Sequence, residues 1–150
     1  MLVRMPRRSL LRRPFVQVGV VVAVVVAVVG LLVFEPWKLV IDQRVDEAAP
    51  ALPVAASAAR VVLARGELIA HEHASSGTVE VLGLPDGSRV LRLQDLRTSN
   101  GPKLKVWLAD QPVLPGKDGW YVFDDGRHVD LGDLKGNIGS SNYAVPADVD

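Results

Sequence analysis

The sequence contains no cysteine. That excludes disulfides, thiolate nucleophiles, thiolate metal ligands and a lipid-modified N-terminal cysteine. It leaves the compartment open. No G-x-S-x-G nucleophile elbow occurs, and no Gly-rich loop closes on Gly-Lys-Ser/Thr. The nearest string, "GNIGSS" at 136–141, lacks the lysine that would meet a phosphate. Hydrolase, kinase and dinucleotide-binding readings lose their support, and no enzymatic activity is expected. There is also no internal repeat.

An excess of either charge is missing too, with 17 basic and 17 acidic residues. The balance hides an asymmetry. Five arginines (Arg4, Arg7, Arg8, Arg12 and Arg13) precede Pro14, and no acid lies among them. The chain from Glu35 onward carries the other 12 bases against all 17 acids, a net of −5. Nucleic acid needs a basic face, so it is not expected as a partner.

What is present first is a long apolar run. Phe15 to Phe34, "FVQVGVVVAVVVAVVGLLVF", has no charge and one amide, Gln17. At about 1.5 Å per residue it reaches roughly 30 Å, the thickness of a bilayer core. Peptide groups in hydrocarbon must be bonded internally, so the run is expected to be a transmembrane helix despite its valines. Pro14 and Pro36 bracket it, Trp37 and Lys38 suit an interface, and the arginines favour a cytoplasmic N-terminus. A cleaved signal peptide is the competing reading, but its apolar core is ordinarily about 7–15 residues. The expected organisation is a basic cytoplasmic tip (1–14), a transmembrane helix (15–34), an Ala/Pro-rich linker (35–65) and an extracytoplasmic domain (66–150). The lipid bilayer is the first expected partner.

Within the linker, Pro50 and Pro53 break any long helix, although Ala55 to Leu63 could form a short one. After Arg65 the pattern changes to period two. "GTVEVLG" places Val79 and Val81 on one face. "SRVLRLQDL" places Leu91 and Leu93 opposite Arg92 and Gln94. "KLKVWLAD" groups Leu104, Val106 and Leu108 against Lys103 and Lys105. Such alternation marks half-buried strands. "LPDGS" predicts a hairpin, because Pro85 presets φ and Gly87 accepts a left-handed position. "SNGPK" makes the next turn, and "DDG" at 124–126 divides "WYVF" from "RHVDL". Short strands with frequent turns point to an all-β, antiparallel, sandwich-like domain behind one N-terminal transmembrane helix.

Three blocks in order, "HASSGTVEVL", "GSRVLRLQDLRTSNGPKLKVWLA" and "VDLGDLKGNIGSSNYAVPADVD", resemble the DM-thirteen domain, an extracytoplasmic family also labelled an electron-transfer domain. The resemblance covers about 66–150. It implies a sandwich-like β domain, tethered to membranes or joined to other extracellular modules. It also implies that "LGDLKGNIGSSNY" is a structured loop, with Gly132, Gly136 and Gly139 permitting tight turns and Leu131, Leu134, Ile138 and Tyr143 pinning it to the core. Family members continue past a segment like "PADVD", and one later strand carries a lone Cys proposed as a redox group. This sequence stops at Asp150 without one, so the domain is expected to be incomplete and to leave a sheet edge unpaired.

The metal candidates are His71 and His73 of "HEH", which would share a face if they lay in a strand, with His128 as a third ligand. Two solvated histidines are the plainer alternative. Asp124, Asp125, Asp130 and Asp133 lack the spacing of a calcium loop, and turn chemistry accounts for Asp124 and Asp125. Trp107, Trp120 and Tyr121 could stack a sugar or relay an electron, although large aromatics in sheets ordinarily pack. No cofactor is identified by the residues, and a metal stays open. The leading expectation is a membrane-anchored binding or assembly module with an unknown extracytoplasmic protein partner. The alternative is an electron-transfer protein with a metal or cofactor at His71, His73 and His128.

Overall fold

The computed structural model describes residues 14–51, 60–122 and 125–149. The arginine-rich tip before Pro14, most of the short helix expected at Ala55 to Leu63, and Asp124 lie outside them. The chain divides into two compact units, Met1–Pro36 and Trp37–Asp150. In the first, α1 (Pro14–Phe34) is a 21-residue helix with no buried residue. It is long and apolar enough to cross a membrane. No face of it is polar, as a lipid-surrounded helix requires. Its end is set locally. Glu35 donates its N–H to Leu31 O at 3.0 Å and turns to φ 41°, and Pro36 cannot continue the ladder. A 3₁₀ turn, Pro36–Leu39, follows.

The second unit is mostly β. A five-stranded sheet contains β1 (Arg44–Asp46), β2 (Val61–Glu67), β3 (Ser76–Gly83), β4 (Arg89–Arg97) and β7 (Ile138–Val145), in the order β1-β7-β4-β3-β2. A two-stranded ribbon pairs β5 (Lys105–Ala109) with β6 (His128–Asp133). All pairings are antiparallel except β1 with β7, so the large sheet is mixed.

The core forms where the alternation placed it. Leu91, Leu93, Leu96, Tyr143 and Val145 are buried, and Val79, Val106, Leu108, Leu131 and Leu134 pack against them. The ribbon thus lays its apolar face on one face of the large sheet, which gives the sandwich-like character. Strict alternation would turn Leu96 away from Leu93. A bulge between Leu93 and Leu96 prevents this, with Asp95 at φ 51° and its N–H bonded to Ser140 Oγ. The β3–β4 hairpin closes at Leu84–Ser88 as predicted. Gly87 takes φ 82°, and Asp86 Oδ1 accepts from Ser88 N and Oγ.

The linker expectation needs correction. Residues 35–65 supply β1 and most of β2, which form the two edges of the large sheet. The Gly-rich segment at 131–143 is not a loop between strands either. β6 runs to Asp133 and β7 begins at Ile138. Gly132 takes the positive φ expected of it, 111°, in open space, whereas Gly136 and Gly139 serve close approach. Gly139 has φ 108°, and a Cβ there would overlap the Val45 carbonyl of β1. A Cβ on Gly136 would sit 2.6 Å from Gln43 O. The backbone of β1 therefore rests on a surface without side chains.

Asn137 locks this arrangement. It is 1% exposed. Its Oδ1 accepts from Gln43 N at 2.7 Å, and its Nδ2 donates to Asp42 Oδ1 and Thr98 O. Beyond β1 the chain turns over the sheet's other face. There Arg92 donates to Glu47 O and Asn142 Oδ1, while Asn142 Nδ2 donates to Ala48 O. Glu47 itself accepts from Lys135 Nζ at 2.7 Å and from Asn142 N at 2.8 Å. The Lys135 bond, then the Asn142 N–H, hold its carboxyl below its ordinary range.

Trp120, Tyr121 and Val122 do not form a strand. Gly116 at φ 69° starts a 3₁₀ turn, Gly116–Trp120, and Tyr121 and Val122 continue as a turn. After β7, Arg89 holds the chain by donating to the carbonyls of Pro146, Ala147 and Val149.

Two glycine substitutions separate conformational cost from overlap. Gly87→Ala meets open space and is expected to cost about 1–2 kcal/mol for its left-handed backbone. Gly139→Ala adds the clash with β1 and is expected to cost more, read as a larger drop in denaturation midpoint. Glu47 generates a pH prediction. Its folded carboxyl lies below the ordinary 4.5, so its contribution is present above that pH and lost as pH falls through the lower folded value. Glu47→Gln is expected to flatten the acid limb of a stability-versus-pH curve.

Candidate functional site

The histidine expectation placed His71 and His73 on one strand face. In the structure β2 ends at Glu67 and β3 begins at Ser76, and 71–73 form a bend. The last ladder bond before it is Leu68 N to Gly77 O, and Ser75 Oγ then pairs with Thr98 Oγ1. The shared-face argument therefore does not apply. His71 Nδ1 donates to Gly116 O at 3.1 Å, and its ring lies over Gly119, where a Cβ would be 2.5 Å from Cε1. His128 begins β6 and stacks on Trp107, with centroids 4.1 Å apart and planes 18° apart. Among the described residues no group of three or more His, Asp or Glu side chains is arranged to hold a metal ion. His71, His73 and His128 do not form a donor set for one.

The outward face of the β5–β6 ribbon gathers more chemistry. Val106 and Leu108 turn to the core, so period two sends Lys105, Trp107 and Ala109 outward. Trp107 pairs in register with Asp130, and Ala109 with His128. That brings the indole and the imidazole together diagonally across the strands. A register shift between Lys105 and Trp107 sets Lys105 opposite Asp133. Its ammonium lies 2.7 Å from Asp133 Oδ1 and 3.4 Å from Asp130 Oδ2. Hydrogen bonds to Asp133 and then Asp130 push the Lys105 ammonium above its ordinary value, and the same Lys105 bond draws the Asp133 carboxyl down. Asp130 Oδ1 also accepts from Gly132 N. Lys105 thus stands where a cation would sit between Asp130 and Asp133. Asp125 belongs to a turn, its N–H bonded to Val122 O.

The expectation that the large aromatics pack needs correction for Trp107 and Tyr121, while Trp120 is half-buried. Trp107 is 42% exposed and Tyr121 74%. Trp107 faces outward because its neighbours Val106 and Leu108 take the core side. A flat ring pair flanked by one cation and two carboxylates can hold a planar or ring-bearing group by stacking and edge hydrogen bonds. It offers no activated nucleophile. Sequence reasoning named Trp107 and His128 separately and missed their pairing with Lys105, Asp130 and Asp133. The signal was there as K-x-W and H-x-D at alternating positions in two strands. The missing information was their register.

Comparison with known proteins gives one family. The profile described as "Electron transfer DM13" matches residues 67–150. No curated protein and no solved structure matches the chain.

The ring pair makes a spectroscopic prediction. The His128 ring protons are expected upfield of those of His73, because they lie over the Trp107 face. Trp107→Ala is expected to return them to ordinary shifts while lowering stability by about 0.5–1.5 kcal/mol, as NMR and denaturation would show.

Proposed function

The chain belongs to the electron-transfer DM13 family, and from that premise we propose that it is a membrane-anchored extracytoplasmic binding module. α1 holds it in the bilayer, and the arginines before Pro14 keep that end in the cytoplasm. The β domain is then displayed outside, and the outward face of the β5–β6 ribbon receives an extracytoplasmic partner. The observation that carries this reading is the exposed Trp107–His128 stack. A tryptophan left on the water side of a sheet forgoes burial, and aromatic anchors of that kind mark recognition surfaces. The salt bridges of Lys105 flank the stack and supply directional groups around it.

Two measurements on the full-length chain test the reading. Since the sequence has no thiol, Ser9→Cys and Val113→Cys each report one place. In intact cells a membrane-impermeant maleimide is expected to label Val113→Cys, and to label Ser9→Cys only after lysis. The opposite pattern would overturn the topology. The purified chain in detergent is expected to carry no stoichiometric metal and no visible absorbance. A metal or chromophore that disappears in a His71→Ala, His73→Ala, His128→Ala variant would replace the binding reading with electron transfer.

A further inference from the structure

We propose that the β domain has a lipid-binding surface of its own, built from the turn at Trp37–Ile41 and the loop leading into β5, and that it rests on the membrane α1 spans. The inference rests on the anchored reading above and joins to the turn that follows α1 a loop remote from it in sequence.

The turn is apolar and turned to solvent. Leu39 is 68% exposed, Val40 85% and Ile41 57%. Three adjacent aliphatic side chains in water are costly unless something covers them. They are not loosely attached. Val40 N and Ile41 N both donate to Trp37 O, and Asn100 Nδ2 donates to Ile41 O at 2.7 Å. That last bond joins the turn to the 98–104 loop, whose Leu104 is also exposed. Leu104 O accepts from Leu134 N, beside Asp133. Lys38 and Lys103 both draw on the Asp133 carboxylate. The turn and the loop thus each place a lysine within the field of Asp133.

Exposed aliphatic side chains in segments that also carry Lys38, Lys103 and Trp37 have the composition of an interfacial membrane surface. The apolar groups enter the headgroup boundary, and the ammonium groups meet lipid phosphates. The occupant follows from continuity. Trp37 is the third residue after Phe34, and eight residues link Phe34 to Gln43, whose N–H the buried Asn137 holds. A soluble protein partner would have to compete for this patch with the bilayer that the preceding residues enter.

The absence of native thiols allows one nitroxide per molecule. The full chain is reconstituted in vesicles of phosphatidylcholine and phosphatidylglycerol, with single labels at Val24→Cys, Leu104→Cys or Val113→Cys. Collision with oxygen, which concentrates in lipid, is compared with collision with a water-soluble nickel chelate. The Leu104 label is expected to be several-fold less accessible to nickel than the Val113 label. Adding Lys38→Glu and Lys103→Glu is expected to return it to water. If the Val24 label lies in lipid while the Leu104 label meets nickel as freely as Val113, the lipid-binding surface is refuted and the anchor stands. If the Val24 label is itself in water, the anchored reading falls, and this inference with it.

Discussion

The side chain of Asn137 is the constraint on which the rest of the β domain depends. It is almost wholly excluded from water, so each of its polar groups needs a partner within the protein. It finds them in the segment before β1 and in the residue after β4. One amide thereby fixes the approach of β1, the exit of β4 and the start of β7. The neighbouring glycines complete the arrangement, because only a surface without side chains lets β1 lie close enough for its ladder. Remove the amide, and Gln43 N and Thr98 O lose their partners at a partly buried junction of three strands.

Much of this architecture was legible before any coordinates. The apolar run could only be a helix, and α1 begins within one residue of the expected start. The alternation around Val79, Leu91 and Leu93 identified the core face, and Pro85 with Gly87 located the hairpin. The failures share a physical cause. β1 is three residues long and pairs in parallel with a strand more than ninety residues away, so no local pattern announces it. β2 contains Ala64 and Gly66, which soften its alternation and make it read as linker. The bulge at Asp95 breaks period two in β4, and Gly116 opens a 3₁₀ turn that carries Trp120, with Tyr121 and Val122 continuing as a turn. Glycines at 136 and 139 looked like turn chemistry because sequence cannot distinguish freedom of φ from a need for close approach.

The candidate site was legible residue by residue and hidden as a constellation. His71 and His73 looked paired because their spacing suits a strand, but the chain bends there and His71 turns to Gly116. Trp107 and His128 looked unrelated, yet antiparallel register stacks them. Their outward position follows from the claim of Val106 and Leu108 on the core. The display face is in that sense a by-product of how the core is filled. Family membership supplies the scaffold and an electron-transfer label, while the solvent-facing chemistry of this chain is stacking and ion pairing.

The parallel pairing of β1 with β7 also has a temporal meaning. Arg44 is made long before its partner Ile138, and loop closure over such a span is slow compared with the local β3–β4 hairpin. A ribosome delivering the chain vectorially releases β1 early, with its ladder groups unsatisfied until Asn137 and β7 emerge. The β3–β4 hairpin has both its strands early, whereas the β1 edge completes its ladder only once β7 has been made. Among the described strands β1 therefore waits longest for its partner, and a holdase acting on the nascent chain would have it as its longest-held client.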